Sequence, residues 1–237
     1  MAVFSGSDLC FERADRVVFE DVSFSVASGS VTELRGANGS GKSTLLRMMA
    51  GLIAPTRGQL FWNEIPVAND PDAHRARINY IGHRDGVKGM LTVAENLRFW
   101  MEMTKTANDQ KRSDALLAQA MATFGIDKLA DTPARYLSAG QHRRAALARL
   151  IVRPSLIWLL DEPATALDTT ALAALDHALA AHLGAGGIVI MATHEPMRHP
   201  NPRVDLDEIA RKAALKRRSG ASPAETSGVS PAETMTA

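Results

Sequence analysis

The chain has 237 residues, 46% of them hydrophobic, and 27 basic against 26 acidic side chains leave a net charge of +1. That length fits one large domain carrying an insertion, and the near-neutral balance gives nothing to favour nucleic acid or an acidic partner. Cys10 is the single cysteine, which excludes an intrachain disulfide and a thiolate metal cluster and suits a reducing compartment. No signal peptide is visible and no stretch approaches about 18 apolar residues, so work at a membrane would need another polypeptide as anchor.

Residues 8–35 alternate apolar and polar. Val22-Ser23-Phe24-Ser25-Val26 reads as a period-two strand, Ser28-Gly29 as a turn and 31–34 as the next strand, together predicting an antiparallel layer. That layer feeds Gly36-Ala37-Asn38-Gly39-Ser40-Gly41-Lys42-Ser43, which is G-x-x-x-x-G-K-[ST], followed by a helix over 44–50 that stops at Gly51. Strand, glycine loop and helix in this order make a phosphate-binding loop. Gly36, Gly39 and Gly41 let the backbone curl, so that the N–H groups along the loop and at Thr44 converge on phosphate with the positive end of the helix behind them. Lys42 would reach the β- and γ-phosphates, and the Ser43 hydroxyl would ligate Mg²⁺.

Beyond a turn at 55–58 come strands at 59–62 and 77–82. Residues 84–136 read as a mostly helical insertion: a helix over 91–100 with Thr92 as N-cap, a polar loop over 104–112 and an amphipathic helix over 114–124. A helix over 138–152 opens on a Ser-Ala-Gly turn, 156–160 is a buried strand, 171–183 is an alanine-rich helix stopped by Gly184, and 187–192 is the last buried strand. From 212 the chain turns basic and then Ser/Pro/Ala/Glu/Thr-rich, with Ser-Pro-Ala-Glu-Thr at 222–226 and again at 230–234. Such a composition cannot bury enough apolar surface to fold, which predicts a disordered tail over 219–237 behind a domain spanning 1–211.

Three further stretches carry chemistry. Leu159-Leu160-Asp161-Glu162 puts two carboxylates at the C-terminal tip of a buried strand, the edge where open α/β sheets bind ligands. Asp161 would hold Mg²⁺ directly or through water, and Glu162 would orient or deprotonate an attacking water. Thr193-His194 ends another buried strand, making His194 a candidate sensor of the γ-phosphate. Ser138-Ala139-Gly140-Gln141 offers a hydroxyl, a glycine and a helix N-terminus as a second anion-binding element.

The order of these motifs, with Ala166-Leu167-Asp168 after Asp161, resembles the nucleotide-binding subunits of ATP-binding-cassette transporters over about residues 8–200. The resemblance implies an α/β P-loop NTPase core, a mixed sheet with an antiparallel β layer, and a helical subdomain inserted at about 84–152. It implies a head-to-tail dimer in which each ATP lies between one chain's phosphate loop and the other chain's Ser138, Gly140 and Gln141, with Asp168 making contacts across the dimer. Tyr80-Ile81-Gly82-His83-Arg84-Asp85-Gly86-Val87-Lys88, the run Leu91-Thr92-Val93-Ala94-Glu95-Asn96-Leu97 and Gln141-His142-Arg143-Arg144 are similar to the haem exporter ATP-binding subunits of cytochrome c maturation. That family implies an integral membrane permease partner, two ATPase with two membrane subunits, a peripheral place on the cytoplasmic face of the bacterial inner membrane, and contact with haem-handling proteins.

Two departures stand out. His83 occupies or adjoins the position where most cassettes carry a glutamine that senses Mg²⁺ and links to the membrane subunit. Near Arg13-Ala14-Asp15-Arg16 there is no aromatic residue at the spacing expected for stacking on adenine; Phe11 and Phe19 alternate as core residues, and Arg16 is the alternative for contact with the ring. Trp158 is core by its strand, and Trp100 ends the stripe of the 91–100 helix. A cassette subunit for another cargo and a nucleotide-gated assembly factor remain as alternatives. A single cassette with no heptads and almost no net charge argues against action on ribosomes or nucleic acid.

Overall fold

The computed structural model of the chain describes residues 1–14, 16–103, 110–193 and 203–212. His194, His199, residues 104–109 of the predicted loop and the predicted tail beyond 212 lie outside them.

Two sheets build the core. β1 (Val3–Arg13), β2 (Arg16–Ala27), β4 (Arg57–Trp62) and β5 (Ile65–Pro66) form an antiparallel sheet in the order β2-β1-β4-β5. A five-stranded sheet runs β6-β7-β8-β3-β9, from β3 (Val31–Arg35), β6 (Ile78–Ile81), β7 (Ile157–Asp161), β8 (Ile188–Ala192) and β9 (Arg203–Asp205), and each of its pairings is parallel. The 31–34 strand therefore does not belong to the antiparallel layer. It leaves that layer at the Ser28-Gly29 turn and enters the parallel sheet between β8 and β9. β8 is the last fully buried strand, as expected, and the short β9, buried only at Val204, pairs with β3 after it in the chain.

Every residue of β7 and β8 is buried, as both faces of a parallel sheet must be. Alternate side chains divide between two cores. Ile157, Leu159, Ile188 and Ile190 join Leu45, Leu46 and Met49 of α1 (Lys42–Met49) and the antiparallel sheet. Trp158, Leu160, Val189 and Met191 face a helical layer. That layer comprises α3 (Val93–Glu102), α4 (Gln110–Thr123), α5 (Ala139–Val152) and α6 (Thr169–Gly184); the short α2 (Pro71–Ala76) precedes β6. Thr92 caps α3 as expected, accepting from the Glu95 N–H while the Glu95 carboxylate accepts from the Thr92 N–H.

The helix ends correct the sequence reading at α4 and α6. α4 begins at Gln110, inside the predicted loop. The predicted 138–152 helix is found as α5, with Ser138 as its N-cap and Ala139 and Gly140 opening its first turn. Gly184 is the last residue of α6, and the glycine in left-handed backbone is Gly186, at φ 84°.

One half-buried imidazole gives the helical layer an acid sensitivity. The His182 ring stacks on Trp158 with centroids 3.9 Å apart and 4° between the planes, and its Nε2 lies 3.3 Å from the Ile188 carbonyl. Burial holds its pKa below the ordinary value of 6.5, and burial does the same to His74, whose Nε2 is 2.8 Å from the Met49 carbonyl. The unfolded chain takes up these protons near 6.5 while the folded chain resists, so stability is intact above that pH and falls as pH drops from 6.5 toward the lowered folded values. Urea midpoints measured at about pH 7.5 and about pH 5.5 should differ, with the lower at acid pH, and His182→Phe should narrow the gap. An unchanged gap would remove His182 from this account.

Candidate active site

The phosphate loop joins β3 to α1 at the C-terminal edge of the parallel sheet. Gly36, Gly39 and Gly41 hold φ of 146°, 83° and 100°, as the motif predicts. Gly41 is also sterically required, because a Cβ there would come within 2.8 Å of the Phe19 ring. It caps α1 in left-handed backbone without a side-chain hydrogen bond. The first N–H groups of α1, on Lys42, Ser43 and Thr44, therefore begin a helix whose orphan donors suit an anion. Lys42 is buried, and its ammonium donates to the Gly36 carbonyl at 2.7 Å and the Ala37 carbonyl at 3.0 Å. Ala37, Asn38 and Gly39 form an exposed rim, with Ser40 half-buried behind them.

Sequence reasoning missed a residue that touches this loop. The Ala37 N–H donates to the Asp207 carboxylate at 2.8 Å across 170 residues of chain. Asp207 lies in a helical turn at 206–212 that follows β9, and the Asp205 side chain caps that turn by accepting from the N–H groups of Asp207 and Glu208. The turn, Val18 and Phe19 of β2, and Ser40 line a cavity of about 260 Å³ beside the loop.

The strand order puts the tip of β8 between those of β3 and β7. Lys42, Thr193 and Asp161 thus share one sheet edge, and His194 would follow Thr193. Asp161 is buried, and its Oδ2 has no hydrogen-bond partner among the described residues. A buried carboxylate oxygen of this kind fits a divalent cation, as does a hydroxyl on Ser43 at the start of α1. Glu162 follows in left-handed backbone at φ 48°, its N–H donating to the Ala192 carbonyl at 2.9 Å. The Thr165 hydroxyl donates to the Glu162 carboxylate at 3.4 Å.

Ser138, Gly140 and Gln141 stand at the opening of α5. Ser138 and Gln141 close a capping box: the Gln141 N–H donates to the Ser138 hydroxyl at 3.3 Å, and the Ser138 N–H donates to the Gln141 side chain at 2.9 Å. No hydrogen bond among the described residues joins either to the phosphate loop. A Cβ on Gly140 would lie 3.0 Å from the Ala166 carbonyl, so glycine lets α5 approach the 163–168 turn. Asp168 caps α6 through the Ala171 N–H at 2.9 Å and pairs with Arg144. His83 and Arg84 are exposed just past β6.

A phosphate loop and a Walker-type carboxylate pair on one parallel edge, with a capped helix on a separate helical layer, define a P-loop ATPase of cassette type. The ABC transporter family model matches residues 19–165. A cytochrome c biogenesis ATP-binding export protein, CcmA, of Paramagnetospirillum magneticum is 46% identical over 88% of this chain and 96% of its own length. The protein of that name from Rhodospirillum rubrum is 43% identical over 88% of each chain. A solved ATP-binding subunit of an ABC transporter superposes with a TM-score of 0.79 at 25% identity, covering 93% of this chain and 95% of that one. A dimeric cassette in a post-hydrolysis state, bound to ADP and Pi, shares the fold at a TM-score of 0.73 and 22% identity, over 81% of this chain and 88% of its own. The chain belongs to the ABC transporter ATPases and, among them, to the cytochrome c biogenesis ATP-binding export family.

Proposed function

We propose that this chain is the energy-coupling subunit of a transporter complex in c-type cytochrome biogenesis, binding and hydrolysing MgATP to drive an integral membrane partner. The observation that carries the reading is the 46% identity to a cytochrome c biogenesis export ATPase across 96% of that protein, together with the phosphate-loop geometry around Lys42.

The loop 36–44 holds the phosphates by its N–H groups, and Lys42 turns its ammonium to the β- and γ-oxygens. Ser43 and Asp161 would hold Mg²⁺, which neutralises charge on the phosphates. Glu162 orients a water for attack and accepts its proton, and His194 is the proposed sensor of the γ-phosphate. Among the described residues, no hydrogen bond joins Ser138, Gly140 or Gln141 to the phosphate loop of their own chain. In the proposed head-to-tail dimer they close on the partner's nucleotide, and Asp168 lies at that contact.

The helical layer supports a membrane partner. Met90, Phe99 and Met103 are 76%, 38% and 63% exposed on and beside α3, close after His83 and Arg84. Among the described residues no helix is long and apolar enough to cross a bilayer. Docking through this surface to a permease places the chain at the cytoplasmic face of the inner membrane, as two ATPase and two membrane subunits.

Affinity purification of the tagged chain from detergent-solubilised membranes tests the assignment. A small multi-spanning protein of the cytochrome c maturation apparatus is the expected companion. A permease of another kind would keep the ATPase and change the cargo. Ribosomal protein or nucleic acid in place of any membrane protein would overturn the transport role.

A further inference from the structure

Arg143, at the start of the second turn of α5, is only 5% exposed and uses its whole guanidinium. Nε donates to the Pro163 carbonyl at 3.4 Å. Nη2 donates to the Asp161 and Glu162 carbonyls at 2.8 and 2.7 Å. Nη1 donates to the Gly82 carbonyl at 3.2 Å and to the Asp85 carboxylate. Five N–H donors meet five acceptors, and three of these are the consecutive carbonyls of the Walker-type turn. That turn contains Glu162 in left-handed backbone, a conformation unfavourable for a residue with a Cβ. A planar fork can bind several carbonyls in one arrangement, and a lysine ammonium cannot reproduce it.

A buried guanidinium needs a counter-charge, and Asp85 provides it. One Asp85 oxygen takes Arg143; the other lies 3.2 Å from His142 Nδ1. Asp85 sits two residues past the exposed His83, on the segment that leads from β6 to α3. The segment after β6, the opening of α5 and the backbone of Glu162 are therefore joined through a single guanidinium.

We infer that Arg143, held by Asp85, is a positioning residue for Glu162: it fixes the left-handed turn that aims the Glu162 carboxylate and ties that aim to the position of segment 82–88. Movement of that segment withdraws Asp85 from Arg143 and loosens the carbonyls of 161–163. The inference rests on the proposed hydrolytic role of Glu162.

The test is MgATP hydrolysis by the full chain, purified with the membrane subunit that accompanies it, for Arg143→Lys, Asp85→Asn, Asp85→Glu and Glu162→Gln. Arg143→Lys should lower kcat about 100-fold, the scale of an ångström-sized misplacement of a catalytic group, with KM for ATP within about twofold. Asp85→Asn should act in the same direction, and Asp85→Glu should restore most of the rate. In single-turnover measurements Arg143→Lys should add little to Glu162→Gln, because both act on one carboxylate. A wild-type kcat in Arg143→Lys and Asp85→Asn, or losses that multiply with Glu162→Gln, would overturn the inference. So would a rise in KM that matches the whole loss. Asp85 is partly exposed at the loop, so its two variants keep the question open to measurement if Arg143→Lys does not fold. Fast hydrolysis by Glu162→Gln alone would instead sink the proposed role of Glu162.

Discussion

Glu162→Gln should hydrolyse ATP roughly 10²–10⁴-fold more slowly than the native chain, the usual contribution of a positioned general base. It should also bind ATP without loss, because the loop 36–44 and Asp161 are untouched. Glutamine keeps the size and much of the hydrogen-bonding capacity of the side chain, including contact with the Thr165 hydroxyl, and removes the ability to accept a proton. With hydrolysis blocked and the nucleotide retained, a dimer closed over two ATP molecules should accumulate. Size-exclusion chromatography with light scattering, run with ATP and with ADP, reads it directly. A monomer in both nucleotides would remove the head-to-tail arrangement, and rapid turnover would remove Glu162 from the reaction.

Lys42→Ala should act one step earlier, on binding. The ammonium reaches two loop carbonyls at 2.7 and 3.0 Å and is buried against them, so it is held where phosphate oxygens would arrive. Charge-assisted hydrogen bonds contribute about 1.5–3 kcal/mol each. Removing the lysine should therefore weaken ATP about 10-fold to 100-fold or more and abolish measurable hydrolysis. Titration calorimetry gives the affinity, and phosphate release gives the rate. Because Lys42 also satisfies the Gly36 and Ala37 carbonyls, thermal unfolding should be recorded beside both. Native affinity with a folded protein would exclude the lysine from the phosphate site.

The contrast between Lys42 and Arg143 shows which contacts are legible in a sequence. Lys42, Ser43, Asp161 and Glu162 sit in short runs whose local conformation is itself the site, so spacing and strand context are enough. Arg143 resembles any basic residue on a helix; its meaning depends on Asp85 and on the 161–163 turn, which the fold alone brings together. The 31–34 strand shows the same limit: alternation reports that a segment is extended and not which sheet it joins. β9 is three residues long and carries two charges, so only its pairing with β3 makes it visible. Gly184 and Gly186 are equally good stop signals on paper, and the backbone decides between them: Gly184 is still helical while Gly186 takes the left-handed conformation. The capped start of α3 was readable because a capping box closes within four residues.

The link from Ala37 to Asp207 spans 170 residues. Its consequence lies in synthesis. A ribosome adding about 5–20 residues per second needs roughly 10–30 s to travel from one partner to the other. Throughout that interval β3 lacks β9, and until 188–192 is made it lacks β8 as well. The phosphate loop is therefore translated well before the strands and the carboxylate that complete it, so its nucleotide site is assembled only after residues 203–207 have emerged.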